Sequence, residues 1–300
     1  MKKVVIFGGS GFIGRSLVKL LLNNSFFVVV VCSNGAKAQN VLPQSNNLKI
    51  NTLDIFNQEE VNNAVKNCDI VVNLIGKLYE VKKGDFTNFH TKFTQILSKA
   101  LKDGQQIIHI SALAIEQSCA TSIYAQTKLD GEGVIASQCN NYTIIRPSIV
   151  FGEGDGFFGL FAKMAKFTPF LPLIGGGRAL FSPIFVEDIS GTILFIMQNP
   201  LACKNKILQA AGNEVATFKD LINFTLKTTN KKRFLLNIPF CIAKLQAKLL
   251  NFFRIFILTS DQVELLKYNN IKTEKYDNID SLVKNLKSYK QIVPAYLTKI

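Results

Sequence analysis

Between residues 1 and 150, short apolar runs alternate with stretches in which apolar positions return every three or four residues. The runs lie at 3–7, 27–32, 48–52, 69–75, 106–111 and 142–146 and read as apolar throughout, the pattern of strands covered on both faces by helices. Helical periodicity spans about 11–23, 57–67, 86–103 and 121–138. Asn57, with Glu60 three residues on, marks the start of the second of these. Such alternation predicts an α/β fold with a doubly wound parallel sheet. Beyond residue 150 the rhythm weakens into a Phe-rich segment at 157–174, the run Gly175-Gly176-Gly177, a mixed region at about 181–228 and a basic helical tail. The expected division is a main domain, 1–150, and a smaller, mostly helical lobe, 151–300, over the carboxyl ends of the strands. The two interleave around 181–210.

The first chemistry appears where the first run ends. Residues 4–14 read VVIFGGSGFIG, which spaces Gly8, Gly11 and Gly14 between a strand and a helix. One glycine allows the tight turn, another lets the backbone approach a pyrophosphate, and the third permits close helix–strand packing. The helix amino end presents free N–H groups to the phosphates. The sheet is therefore expected to be a Rossmann-type NAD(P) site, with Gly8, Gly9, Ser10, Gly11, Phe12, Ile13, Gly14 and Arg15 around the pyrophosphate. A site that prefers NAD places a carboxylate at the end of the second strand, but here stand Cys32-Ser33-Asn34. With no carboxylate to repel a 2′-phosphate, and with Ser33, Arg15 and Lys37 at hand, NADP(H) is expected over NAD(H). Asp54, beside Ile55 just past the third strand, either contacts the adenine or caps the next turn.

A second constellation is Tyr124-Ala-Gln-Thr-Lys128 in the helix after the fifth strand. Four-residue spacing puts both side chains on one helix face. An ammonium there is expected to lower the tyrosine pKa from about 10, as a tyrosine general acid/base requires. Lys128 would also hold ribose hydroxyls.

Taken with Gly8–Gly14 and Asn73 in the segment VVNLIG, this pair resembles the extended short-chain dehydrogenase/reductases, the group of nucleotide-sugar epimerases and dehydratases. RPSIVFGEGDGFF (146–158), LPLIGGGRALFSPIFVEDI (171–189) and TSDQVELLKYNN (259–270) are similar to a narrower branch. That branch contains the nucleotide-binding accessory subunit of respiratory complex I and its bacterial relatives. The resemblance implies that Arg146, Pro147 and Ser148 close the sixth strand beside the nicotinamide. Asn73, Ile75 and Gly76 complete the expected cofactor set, and Asp188 is expected to cap a helix. Active members carry a serine run at the end of the fifth strand. This chain has Ser111-Ala112-Leu113, so Ser111 is the expected hydrogen-bond donor to the reacting oxygen, with Ser118 and Ser122 as alternatives. Two functions follow from the resemblance. One is an NAD(P)-dependent oxidoreductase exchanging hydride with a carbonyl or alcohol, linked to respiratory complex I or quinone metabolism. The other is a non-catalytic NADPH-binding assembly subunit at a membrane complex. Sugar-nucleotide epimerisation is a third, without a clear uridine-diphosphate signature behind it.

Composition narrows the setting. Apolar residues make up 48% of the 300 and charged residues 19%, enough for a sizeable core. The apolar run after Met1-Lys2-Lys3 is cut by Gly8-Gly9, too short for a signal-peptide core, and no 18-residue apolar stretch predicts a transmembrane helix. Six scattered cysteines without a CxxC pair suggest a reduced, cytoplasmic setting with neither a metal site nor a disulfide framework. The net charge is +14, and residues 201–300, with 17 Lys plus Arg against 7 Asp plus Glu, carry +10 of it. This points to an anionic membrane surface or an acidic partner, with a peripheral place at the inner face of the membrane, or to compositional drift. Dispersed lysines without a recognition motif argue against nucleic acid. His90 and His109 read as structural residues. Phe157, Phe158, Phe161, Phe167 and Phe170 read as core or interface, with a membrane-facing or substrate-covering role as the alternative, and so do Phe252, Arg254 and Phe256. Gly175–Arg178 is a flexible turn or an approach to a phosphate-bearing substrate.

Overall fold

The computed structural model describes residues 1–252 and 258–298. In its first half six strands, β1 (Lys3–Phe7), β2 (Phe27–Cys32), β3 (Leu48–Thr52), β4 (Ile70–Asn73), β5 (Gln106–Ile110) and β6 (Tyr142–Pro147), alternate with helices. The helices are α1 (Phe12–Asn23), α2 (Gly35–Val41), α3 (Gln58–Val65), α4 (Phe93–Ala100), the single turn α5 (Ile115–Ser118) and α6 (Ile123–Gln138). In the second half come β7 (Val150–Phe151), α7 (Phe158–Phe167), β8 (Phe170–Ile174), β9 (Leu180–Phe181), β10 (Ile184–Phe185), α8 (Val186–Gln198) and β11 (Lys206–Ala210). After them follow β12 (Ala216–Thr217), α9 (Phe218–Thr228), β13 (Phe234–Ile238), α10 (Phe240–Phe252), α11 (Ser260–Leu265) and α12 (Tyr289–Leu297). Arg254, Phe256 and the side chain of Phe252 lie outside the described residues.

Seven strands form one parallel sheet in the order β11-β6-β5-β4-β1-β2-β3. Successive side chains point to opposite faces. Val4, Ile6, Val28 and Val30 therefore meet α1 and α8 on one side, and Val5, Phe7, Val29 and Val31 meet α3 and α4 on the other. Both sets are buried, which explains the unbroken apolar runs. β3 departs from this: it is an edge strand whose Lys49 and Thr52 are exposed while its other residues are only half-buried. The seventh strand, β11, lies in the mixed region and pairs with β6 from Lys206↔Thr143 to Ala210↔Pro147.

The periodic stretch at 86–103 is not one α-helix. A π-helical turn, Thr87–Lys92, leads into α4, which stops at Ala100. α6 crosses this turn at Gly131, where a Cβ would stand 2.5 Å from the carbonyl oxygen of His90. Asn57 does cap α3, accepting from the N–H groups of Glu59 and Glu60, but the Glu60 carboxylate accepts from the Asp54 N–H rather than closing the box on Asn57.

The remaining elements enclose a second core, in which Phe151, Phe158, Phe161, Leu171, Phe218, Leu221 and Tyr289 pack together. Asp155 anchors it: its carboxylate accepts from the N–H groups of Phe157 and Gly159 and from the Tyr296 hydroxyl of α12. Asp188 does not cap α8. Phe185 holds that place without a side-chain bond, and Asp188, in the first turn, accepts from the N–H of Lys287 instead. Among the described residues the basic tail is α-helical in α10, α11 and α12. Between Leu266 and Ser288 it runs as turns with one 3₁₀ turn at Ile279–Ser281.

Candidate functional site: a dinucleotide cradle with a buried polar floor

The glycine turn closes where β1 meets α1. Gly8 has φ +83°, its N–H donates to Val31 O at 3.0 Å, and the Gly11 N–H donates back to Gly8 O at 3.0 Å. A Cβ on Gly14 would lie 2.5 Å from the Gly9 backbone, and one on Gly9 would lie 2.8 Å from the Val30 side chain. Ser10 completes the turn, and Gly11, lacking a side chain, leaves the amino end of α1 uncapped. The N–H groups of Phe12, Ile13 and Gly14 have no acceptor among the described residues. Free first-turn amides at the positive end of a 12-residue helix, over a surface kept bare of Cβ atoms, fit a pyrophosphate.

At the end of β2, Ser33 and Lys37 are exposed, and Asn34 caps α2 by accepting from the Lys37 N–H. Arg15 is half-buried and reaches towards Gly154, where a Cβ would lie 3.4 Å from its Nη2. Asp54 caps its own turn, with Oδ1 accepting from Phe56 N–H at 2.9 Å, while Ile55 packs on the face of α3 and α4.

The other end of the cradle is built by β4, β5, the π turn and α6. Asn73, fully buried, accepts from the Ile75 N–H at 3.0 Å and offers its amide to His109 Nδ1 at 3.0 Å. The loop carrying Ile75 and Gly76 is thereby pressed against Gly8, whose Cβ position lies 3.3 Å from the Leu74 backbone. Beyond it, Lys77 N–H donates to His90 Nε2 at 3.1 Å, and His90 Nδ1 faces Thr127 Oγ1 at 3.0 Å. This fixes the His90 proton on Nδ1. Tyr124 stands edge-on to both His90 and Phe86, at centroid distances of 5.3 and 5.5 Å.

Lys128 is buried, with Nζ donating to Ile110 O at 3.2 Å, and a Cβ on Gly76 would meet that Nζ at 2.9 Å. Burial pulls the Lys128 pKa down to about 8, against the pull of Glu132 four residues on. Burial, reinforced by the Lys128 charge, also holds His90 at about 2 and His109 at about 3, so both are neutral near pH 7. The Tyr124 pKa moves against the sequence expectation: burial pushes it up to about 12 rather than down. The ammonium is held by the Ile110 carbonyl, so the phenol bears the full desolvation cost of ionising.

Ser111 follows Ile110 on the strand face shared with His109. Its hydroxyl is buried with no hydrogen-bond partner among the described residues, as is His109 Nε2. The alternatives to Ser111 are committed elsewhere. Ser118 donates to Ala114 O, while Ser122 caps α6 and donates to Asp261 at 2.8 Å. Arg146, one residue before the end of β6, turns away from solvent, pairing with Glu132 at 2.5 Å and Glu116 at 3.0 Å and lying 4.7 Å from the Tyr276 ring. Pro147 O accepts from the Leu113 N–H, and Ser148 Oγ donates to Asn270 O. Glu116 in turn receives Lys275 and Tyr276. Burial opposes its ionisation, but these donors and Arg146 hold its pKa at about 2.

His90, Thr127, Glu132 and Glu116 were not among the residues expected at the site. Glu132 had a signal, since its spacing of four from Lys128 places it on the same helix face. The Glu116–Tyr276 contact, 160 residues apart, had none. The phenylalanine cluster divides. Phe158 and Phe161 are buried and Phe157 packs on them, while Phe167 and Phe170 are exposed. Gly175–Gly177 is a tight turn with three positive φ angles, set against Phe240 and followed by Arg178. Among the described residues no group of histidine, cysteine, aspartate or glutamate could hold a metal, and the six cysteines are free.

A family model described as NAD(P)H-binding matches residues 8–160, just over half of the chain, and one described as RmlD substrate binding domain matches residues 94–245. The chain belongs to the extended short-chain dehydrogenase/reductase family. Its curated relatives include the mitochondrial NADH dehydrogenase [ubiquinone] 1 alpha subcomplex subunit 9 of Dictyostelium discoideum, 28% identical over 237 residues, and that of Arabidopsis thaliana, 25% identical over 307. The first match covers 78% of this chain and 65% of the relative, the second 95% and 75%. A dTDP-glucose 4,6-dehydratase from Streptomyces venezuelae, solved with NAD and TYD bound, superposes with a TM-score of 0.76 at 16% identity, covering 98% of this chain and 95% of its own. This short-chain dehydrogenase/reductase thus has the fold of a dTDP-glucose dehydratase and is similar in sequence to NADH dehydrogenase subunits.

Proposed function

We propose that the protein binds NADP(H) in the Gly8–Gly14 cradle and exchanges hydride with a carbonyl or alcohol at the floor formed by Ser111, Tyr124 and Lys128. The observation that carries this reading is the buried, unpartnered Ser111 hydroxyl, one residue beyond the carbonyl that holds Lys128. A buried donor without an acceptor costs about 1–3 kcal/mol unless something fills the site. A bound nicotinamide would supply or accept the hydride. Ser111 would donate a hydrogen bond to the substrate oxygen, and Tyr124 would move the proton at that same oxygen. Lys128 would leave Ile110 O for ribose hydroxyls and, brought towards Tyr124, lower its pKa from about 12. Phe12, Ile13 and Gly14 would bind the pyrophosphate through their N–H groups. Arg15, Ser33 and Lys37 would receive a 2′-phosphate, since no carboxylate there opposes it.

A second reading has its own support. The resting Tyr124 is a poor base at neutral pH, and the relatives named above are subunits of NADH dehydrogenase. Here NADP(H) is a permanent structural element, and the protein serves assembly or stability in a membrane-bound respiratory complex. Tyr124→Phe separates the two. If hydride exchange is the function, the variant keeps its dinucleotide affinity and loses turnover with a carbonyl screen by about 10²–10⁴-fold. If the variant and the parent are equally inert and equally tight binders, the structural reading replaces the catalytic one.

A further inference from the structure

Residues 156–186 and 221–260 hold ten lysines and arginines and not one aspartate or glutamate. The fold brings these two stretches together, because β8 and β13 pair in parallel from Phe234↔Phe170 to Ile238↔Ile174. Among the described residues their shared face is covered at one end. There Ile174 and Ile238 pack under Ala243 and Ala247 of α10. At the other end Phe170, Phe234 and Leu236 are left 48%, 71% and 47% exposed, with the two rings 5.8 Å apart.

α10 continues the apolar surface outward. Ala243 and Ala247 make its inner stripe, so Ile242, Leu245 and Leu249, three and four residues apart, fall on its far side and are exposed. A helix of a folded protein ordinarily carries polar residues there. Cations adjoin this surface in sequence: Lys231 and Lys232 lead into β13 and Lys248 lies on α10, all three exposed and with no acidic partner among the described residues. Glu264, the acid that Lys244 of α10 meets, is buried and paired with Lys267 as well.

We infer that this face is a docking surface for an anionic phospholipid bilayer, on which the protein lies peripherally. Charge complementarity selects the occupant: acid-free cationic rims suit anionic headgroups, and exposed aliphatic and aromatic groups drawn from separate elements suit the acyl boundary beneath them. Lysines at such a border keep the ammonium in the headgroup layer while their stems lie on apolar surface. No described helix is long and apolar enough to cross a membrane, so α10 would lie in the interface plane.

The test is co-flotation of the full chain with vesicles of phosphatidylcholine alone or mixed with phosphatidylglycerol. The expected result is association with the anionic vesicles only, weakened when the salt rises from about 0.1 to 1 M and the screening length falls from about 10 to 3 Å. Replacing Lys231, Lys232 and Lys248 together by Gln should lower the affinity about a hundredfold, at about fivefold per cation. Leu245→Ser with Leu249→Ser should abolish association while leaving the thermal midpoint unchanged, since both side chains are exposed. Failure of the parent protein to bind anionic vesicles, or undiminished binding by either variant, would overturn the inference. So would self-association in the absence of lipid that the leucine replacements remove, because a second copy would then be the occupant.

Discussion

Lys128 lies 3.2 Å from the carbonyl oxygen of Ile110, and that bond ties the charged group of α6 to the end of β5 immediately before Ser111. The ammonium is buried beside two neutral histidines, with Glu132 as its counter-charge. Its pKa of about 8, below the unfolded value near 10.5, means that the folded state binds this proton less tightly than the unfolded chain. Stability therefore carries a penalty below pH 8 that disappears as the pH rises through 8 to 10.5. Lys128→Met, of similar length and uncharged, should raise the thermal midpoint at pH 7, and the gain should shrink as the pH rises from about 8 to 10.5. The same variant should bind dinucleotide more weakly.

His90 and His109 predict the opposite limb of the stability curve. Held at about 2 and about 3, both stay neutral in the folded protein, while an unfolded histidine takes up a proton near pH 6.5. Their contribution is complete above pH 6.5 and is lost as the pH falls below it, at up to about 1.4 kcal/mol per pH unit for each residue. On denaturant unfolding these two histidines should take up about one proton at pH 6.5 and nearly two at pH 5, and His90→Gln should halve that uptake.

Two glycines should respond in opposite directions to the same methyl group. At Gly14 the added carbon would stand 2.5 Å from the Gly9 backbone, so Gly14→Ala should cost about 1–3 kcal/mol and abolish dinucleotide binding. At Gly133, on the exposed side of α6, nothing lies within 4 Å. Gly133→Ala should stabilise by about 0.5–1 kcal/mol in urea denaturation and leave binding untouched.

The Arg146–Glu132 pair gives a fourth prediction. Both side chains are buried, and Glu132→Ala would leave the guanidinium with Glu116 alone. The loss should approach the lower end of the about 3–5 kcal/mol for breaking a buried pair. Glu116→Ala, a half-buried partner, should cost less.

The parts of this molecule that sequence reveals are those whose cause is local. The apolar runs at 3–7 and 27–32 are strands because both faces are buried, and Gly8, Gly11 and Gly14 are spaced by the backbone geometry they permit. Asn57 and Ser122 cap helices within three residues of themselves. What sequence hides is set across distance. The π turn at Thr87–Lys92 reads as ordinary helix, because the crossing of α6 at Gly131 is a tertiary contact. Arg146 resembles a site residue until Glu116, Glu132 and Tyr276 are found around it. The spacing of Tyr124 and Lys128 places them on one helix face, yet the direction of the Tyr124 pKa depends on Ile110 O, which takes the ammonium, and on burial under Phe86 and His90.

The most direct test of the central claim is to purify the protein without added nucleotide, titrate it with NADPH and NADH, and identify any dinucleotide released on denaturation. NADPH, either carried through purification at one per chain or bound more tightly than NADH on titration, with the effect lost in Gly14→Ala, is the predicted result. A protein that carries neither dinucleotide and binds neither would contradict the account at its foundation.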